Sequence, residues 1–219
     1  RCAVEEFLRD FPKNEQLVLP ERLSKQLLAL AGFPVSVPVV AHTAMQAADA
    51  AEAFGYPVAL KVESYVIQHK TDVGGVRLGL QDRAAVKEAF LQMDSAMKRL
   101  DPSACVTVQP MAQSGFEVML GAARLHDTPL MAAGMGGIYA EAFQDMAFRL
   151  APLQEGQAER MLQSLRCAPV LNGFRTPPLD RAGVCQLLQR LSELMQAFAQ
   201  IREVDLNPCR VYENGCAIL

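Results

Sequence analysis

The 219-residue chain is 51% apolar and 21% charged, with a formal net charge of −3, so it can bury a sizeable core as one large domain or two small subdomains and is not a disordered polymer. No basic block marks a nucleic-acid surface, no uninterrupted apolar run approaches the ~18 residues of a membrane span, and the mixed, charged start Arg1–Cys2–Ala3–Val4–Glu5–Glu6 does not read as a signal peptide. Six scattered cysteines, Cys2, Cys105, Cys167, Cys185, Cys209 and Cys216, form no CxxC pair, which argues against zinc; most lie in apolar stretches as expected of small buried hydrophobes, and a reducing cytoplasm fits.

In chain order, residues 1–20 read as an irregular lead-in with one short helix. Glu21–Leu30 is expected to be a helix ended by Gly32, with Pro34 just beyond. Val37–Val40 reads as a short strand, and Thr43 as the cap of an alanine-rich helix that runs to Phe54 and stops at Gly55. A strand at Val58–Val62, a His/Gly loop, a strand at Val76–Leu80, an Asp82-capped helix to Leu100 and a strand at Cys105–Gln109 complete the first half. Phe116–Gly121, Leu130–Ala132 and Ile138–Phe143 read as strands, with Gly134, Gly136 and Gly137 between the last two. Helices follow at Gln157–Leu165 and Leu179–Ala199, then a closing hairpin of Ile201–Val211 and Gly215–Leu219 around the Asn214–Gly215 turn. The alternation argues for an α/β or α+β organisation. The divisions expected are a lead-in at 1–39 packing on the C-terminal subdomain, an N-terminal subdomain at 40–110 and a C-terminal subdomain at 111–219. The start on Arg1 and the apolar end Cys216–Ala217–Ile218–Leu219 read as a piece of a longer polypeptide.

The most informative segment runs from Ser64 through His69, Lys70, Thr71 and Asp72 to Gly74, Gly75 and Val76, directly after the strand that carries Lys61. A lysine ending an apolar strand suits phosphate as a point charge, the alternative being a snorkelling side chain. Paired glycines let backbone N–H groups approach phosphate oxygens. His69 can accept a phosphoryl group or move a proton, and in a polar loop core packing explains it poorly. Asp72 can fix its ring or serve only as a turn residue. His42 and His126 read as surface residues. Glu117 can bind nucleotide or metal, or be an exposed strand carboxylate. Arg149 can clamp phosphate in bidentate fashion or form a surface salt bridge. Alternation along Glu203–Val204–Asp205–Leu206–Asn207–Pro208 puts Glu203, Asp205 and Asn207 on one strand face, where a carboxylate and an amide oxygen suit Mg²⁺.

These motifs, in this order and over roughly Leu23 to Leu219, resemble the ATP-grasp module of the NDP-forming acyl-CoA synthetases. The loop is similar to that family's "LKVVSP-I-HKTDVGGV"; Gly115–Phe116–Glu117–Val118 matches "G-x-E-V"; Asp145–Met146–Ala147–Phe148–Arg149–Leu150–Ala151–Pro152–Leu153 matches "D-x-x-F-R-x-x-PL"; and Glu203–Pro208 matches "E-x-D-I-N-P-L". The resemblance implies an α+β (α/β) ATP-grasp fold, two α+β subdomains enclosing the nucleotide. It implies phosphorylation of His69 during turnover, nucleotide contacts from Lys61, Gly74, Gly75, Gln109, Met111, Glu117 and Arg149, and Mg²⁺ on Asp205 and Asn207. Gln109 and Met111 would lie in the segment that meets the adenine.

The implied reaction is acyl-CoA + ADP + phosphate in exchange with carboxylate + CoA + ATP, with ATP or ADP as substrate. The CoA-binding and ligase domains of the same or a partner chain would be the partners. Two alternatives remain: a regulatory module of a synthetase-like protein acetyltransferase, and another ATP-grasp carboxylate ligase, which would not need a phosphohistidine. Three departures from the family pattern stand out. Tyr65 replaces a proline and is expected to change loop stiffness. Asp127–Thr128–Pro129 is shorter than the usual loop. The chain stops at Leu219, before an aspartate that in the family completes the metal site.

Overall fold

Two helix starts rest on the side chains expected to cap them. Thr43 Oγ1 accepts from the Gln46 N–H at 3.1 Å, and Asp82 Oδ1 accepts from the Ala85 N–H at 2.9 Å. The computed structural model describes residues 2–12, 17–67, 70, 73–137 and 143–219. The chain divides into two units, one of Arg1–Leu30 with Ser36–Gln113, the other of Ala31–Val35 with Ser114–Leu219.

The first unit contains α1 (Cys2–Arg9), α2 (Glu21–Leu30), β1 (Val39–Ala41), α3 (Ala44–Phe54), β2 (Val58–Glu63), β3 (Val76–Leu80), α4 (Arg83–Met97) and β4 (Cys105–Pro110). Its strands form an antiparallel sheet in the order β1-β4-β2-β3. Val58, Leu60 and Val62 alternate along β2 and pack with Val106 and Val108 of β4 against Ala47, Ala48 and Ala51 of α3 and Val86, Phe90 and Met93 of α4. Small alanines on α3 let that helix lie close to the sheet and to α4. The opposite face of β2 and β4 carries Lys61, Glu63, Thr107 and Gln109, and α2 is tied to it by polar contacts: Arg22 to Glu63 at 3.0 Å, Lys61 to Glu21 at 2.7 Å and Lys25 to Gln109 at 3.2 Å. The helices of the lead-in belong to the first unit, and only Ala31–Val35 joins the second, where Val35 bridges Ile218.

The second unit contains β5 (Phe116–Leu125), β6 (Thr128–Met135), β7 (Met146–Leu150), α5 (Gln157–Gln163), α6 (Ala168–Leu171), α7 (Arg181–Ala197), β8 (Glu203–Val211) and β9 (Cys216–Ile218). Its sheet is also antiparallel, in the order β7-β6-β5-β8-β9. With both sheets antiparallel, the architecture is α+β, not the parallel α/β arrangement that strand–helix alternation also allows. Val118 and Leu120 of β5, Met131 of β6, Leu206 and Cys209 of β8, Met161 and Leu162 of α5 and Leu188, Leu191 and Met195 of α7 are buried. Arg124 secures the carboxyl end of α7, donating to the carbonyls of Met195, Phe198, Ile201 and Asp127.

Several element limits differ from expectation. β6 runs through Gly134, because its pairing with Met119 of β5 outweighs the weak strand preference of glycine. β7 and α6 are short and carry too few residues to show a period. The expected Ile138–Phe143 strand lies outside the described residues except for Phe143. Asp127–Thr128–Pro129 belongs to a tight β5–β6 hairpin in which Leu125 pairs with Thr128 and His126 takes a φ of 56°. Of the six cysteines, only Cys167 and Cys209 are buried; Cys105, Cys185 and Cys216 are half-buried and Cys2 is exposed. They flank apolar stretches at strand ends and helix starts, where burial is incomplete. His42 and His126 are exposed, as expected.

Candidate functional site

In the first unit the sheet alternation that buries Leu60 and Val62 turns Lys61 to the other face, beneath the first turn of α2. There Glu21 is met by three ammonium groups: Lys61 at 2.7 Å, Lys25 at 3.1 Å and Lys70 at 3.5 Å. Burial alone would raise the Glu21 carboxyl, but Lys61 and Lys25 outweigh it and lower it to about 2. Burial pulls the Lys25 ammonium below its ordinary value, and Glu21 offsets part of that. Lys25 is only 4% exposed and also donates to the buried Gln109 side chain at 3.2 Å. Gln109 is thus committed to Lys25 through its side-chain oxygen. The Met111 N–H donates to the Pro57 carbonyl at 3.1 Å, so that donor is in use.

The loop after β2 is anchored at both ends. Ser64 Oγ donates to Asp101 at 2.6 Å and accepts the N–H groups of Val66 at 2.9 Å and Ile67 at 3.0 Å. Hydrogen bonds from Ser103 and Ser64 hold the Asp101 carboxyl below its usual range. At the other end the Gly75 N–H donates to the Lys70 carbonyl at 2.6 Å, and the Val62 N–H to the Gly75 carbonyl at 2.8 Å. A Cβ on Gly75 would stand 2.9 Å from the Lys70 carbonyl oxygen, so only glycine fits here without displacing backbone. Gly74 has a φ of 70°. Tyr65, in the family's proline position, is exposed, and the turn is held by Ser64. His69 and Asp72 lie outside the described residues. The structure therefore brings Lys61, Lys25, Lys70 and Gln109 into one polar layer around Glu21, with Gly75 bonded to β2 beside it.

The second unit presents a separate set. Cross-strand partners share a sheet face, and the row Asp205–Gly121–Ala132–Phe148 fixes which one carries Asp205. Glu203, Asp205 and Asn207 are all exposed on that face, as alternation requires. A register shift between Val118 and Leu120 inserts one extra residue into β8, and beyond it Arg210 lies next to Glu117, with Arg210 Nε donating to Glu117 at 3.0 Å. Gly136 and Gly137 lie against this part of β5. The Gly136 N–H donates to the Glu117 carbonyl at 2.9 Å, and a Cβ on Gly136 would stand 2.6 Å from the Val118 carbonyl carbon. Arg149 does not join this set. It pairs with the buried Met131 and so belongs to the other face of the sheet, exposed at the β7 edge, with Nη1 donating to the Phe148 carbonyl at 2.7 Å. Arg210, Glu21 and Lys25 are the charged residues that motif reading passed over. The acidic–basic spacing of Glu21 and Lys25 in one helix was a visible but ambiguous signal.

Asp205 and Asn207 fit a divalent cation in donor chemistry. Their hard oxygens share a face, and among the described residues neither side chain has a hydrogen-bond or ion-pair partner. Desolvation, and then Glu203, raise the Asp205 carboxyl above its ordinary value. Among the described residues no group of three or more His, Cys, Asp or Glu side chains could hold a metal alone. A cation here would depend on phosphate and water oxygens for the rest of its shell, the usual state of Mg²⁺ on a nucleotide.

The family described as "ATP-grasp domain" matches residues 10–219. The chain is 35% identical to the 4-hydroxybutyrate–CoA ligase [ADP-forming] of Nitrosopumilus maritimus, over 94% of this chain and 31% of that one. It is 32% identical to the Acetate–CoA ligase [ADP-forming] I subunit beta of Pyrococcus furiosus, over 93% of this chain and 89% of that subunit. Its fold matches a solved structure of the dinucleotide-forming acetyl-coenzyme A synthetase 1 of Ca. Korarchaeum cryptofilum with a TM-score of 0.86 and 29% identity, covering 99% of this chain and 96% of that one. That enzyme is in complex with coenzyme A and Mg-AMPPCP, with its phosphohistidine segment pointing towards the nucleotide-binding site. The chain spans about a third of the length of the ADP-forming ligases it matches first, 31% and 29%.

Proposed function

From the premise that this chain belongs to the ATP-grasp domain family and is homologous to the beta subunit of ADP-forming acyl-CoA synthetases, we propose that it transfers a phosphoryl group between ADP/ATP and His69. The transfer serves the exchange of acyl-CoA, ADP and phosphate with carboxylate, CoA and ATP. The observation that carries this reading is the polar layer of the first unit, where Lys61, Lys25 and Lys70 crowd one carboxylate beside the Gly75 turn. Such a concentration of positive charge beside a glycine turn suits a polyphosphate.

Lys61, held on a strand, would contact phosphate oxygens, and the Gly74–Gly75 turn would bring backbone close to them. Gln109 and Met111 would line the adenine end through backbone and apolar contact, since the Gln109 side chain already serves Lys25. Glu117, with Arg210 beside it, and the Asp205–Asn207 pair are the second unit's contributions. Mg²⁺ on that pair would offset phosphate charge and orient the phosphate oxygens. Arg149 stays in the proposal only as an edge-strand phosphate contact, because it faces away from Asp205.

In the ATP-forming direction the phosphorus–nitrogen bond to His69 breaks as an ADP β-phosphate oxygen attacks, and the imidazole leaves with its electron pair. In the reverse direction the unprotonated imidazole attacks the γ-phosphorus and ADP leaves. Positioning and charge neutralisation do the catalytic work. CoA-binding and ligase domains, in the same or a partner chain, would complete the reaction. No helix among the described residues is long and apolar enough to cross a membrane, and a cytoplasmic setting is part of the same proposal, supported by six unpaired cysteines.

The test is incubation of the full-length protein with γ-labelled ATP. An acid-labile, base-stable label is expected. His69→Ala should remove this module's label and leave nucleotide binding largely intact. Undiminished label on that variant, mapped to this module, would defeat the mechanism.

A further inference from the structure

Glu21 occupies an unusual position. Three ammonium groups lie within 3.5 Å of one carboxylate, and the four side chains together carry a net charge of +2. One carboxylate is less charge than this cluster can bind. The backbone of each lysine is held independently of Glu21, and Lys25 has a second side-chain partner. Lys25 is anchored on α2 and bonded to buried Gln109, Lys61 projects from β2, and Lys70 opens a turn closed by the Gly75 N–H. Glu21 is the one anion among them, and the member that an incoming anion would displace. It stands in the first turn of α2, its side chain is 25% exposed, and its flexible stem gives it a way out to solvent.

We propose that Glu21 stands in for a nucleotide phosphate, and that when the phosphate binds, Glu21 swings out and Lys25 and Lys70 join Lys61 as phosphate contacts. This rests on the nucleotide-binding reading above and adds two binding residues and a built-in competitor to it. A terminal phosphate carries more negative charge and more acceptor oxygens than a carboxylate, so three donors that share one carboxylate could each find an oxygen of their own. The amino end of α2 adds favourable potential for the same anion. Glu21 keeps the lysines from repelling one another before nucleotide arrives, and it lowers the affinity for any anion that must displace it.

The experiment uses the full-length chain, with inorganic pyrophosphate and ADP as probes, titrated calorimetrically with and without Mg²⁺. Glu21→Gln preserves volume and removes the competing charge. It should bind both probes about tenfold tighter or better, the size of one charge-assisted contact. Its melting temperature should fall in anion-free buffer and rise further than wild type on adding pyrophosphate. Lys25→Gln should weaken both probes about tenfold. Circular dichroism checks the folding of each variant, and Lys70→Gln, at the more exposed site, repeats the lysine arm if Lys25→Gln does not fold. Unchanged or weaker ADP binding by Glu21→Gln would overturn the stand-in role, and if wild type still binds ADP the nucleotide reading survives. Pyrophosphate binding tightened by Glu21→Gln, with no nucleotide bound by any form, would uphold the anion site and overturn the nucleotide reading.

Discussion

Replacing Glu21 by Gln should make the stability of the first unit less sensitive to acid. The carboxyl is lowered from 4.5 to about 2 in the fold, which corresponds to about 3 kcal/mol of preference for the ionised form. Because the side chain is 25% exposed, solvent screening reduces that to about 2 kcal/mol. The folded state binds the proton less readily than the unfolded chain. The contribution is therefore fully present above pH 4.5, shrinks as the unfolded chain takes up protons below that, and disappears as pH falls through about 2. Urea unfolding of wild type and Glu21→Gln at pH 7 should differ by about 2 kcal/mol, and by under half of that at pH 3. A gap that stays constant down to pH 3, or no gap at pH 7, would show that the lysine cluster does not stabilise the Glu21 anion.

Three further outcomes follow from the geometry. Lys61→Ala should weaken ADP binding about tenfold or more, whereas Arg149→Ala, at the exposed β7 edge, should weaken it less; equal losses by calorimetry would show that Lys61 is not the dominant phosphate contact. Gly136→Ala should destabilise the second unit by about 2 kcal/mol in denaturant unfolding, because its Cβ would meet the Val118 backbone at 2.6 Å and backbone cannot step aside. Arg124→Met should lower stability by about 2–4 kcal/mol by the same measure, since it strips donors from three carbonyl groups around the end of α7 and from the Asp127 carbonyl of the β5–β6 hairpin; a loss under about 0.5 kcal/mol would mean water replaces it freely.

Much of the fold was legible from local pattern. Thr43, Asp82 and the Asn214–Gly215 turn act over a few residues, so their roles follow from their own neighbours in sequence. The one-face placement of Glu203, Asp205 and Asn207 was legible for the same reason, since strand alternation has a period of two. Arg149 shows where that reasoning stops. Its motif is intact, but its sheet face depends on the register of β7 against β6, and register is a long-range property. The partners of α2 are long-range in the same way: nothing in Glu21–Leu30 states that its polar residues will meet β2 and β4.

The sequence by itself determined the order of the elements, most of their caps, the glycine-closed loop after Lys61 and, through the ordered motifs, membership in the ATP-grasp domain family. These depend on dihedral preferences, periodicity and residue identity, all of which are local. Only the tertiary structure decided that Glu21 meets a lysine 40 residues away, that Lys25 reaches Gln109 across 84 residues, and that Arg210 pairs with Glu117 across 93. Those contacts come from strand pairing and helix docking, in which burial of apolar faces sets the register and the charged side chains follow wherever the backbone carries them.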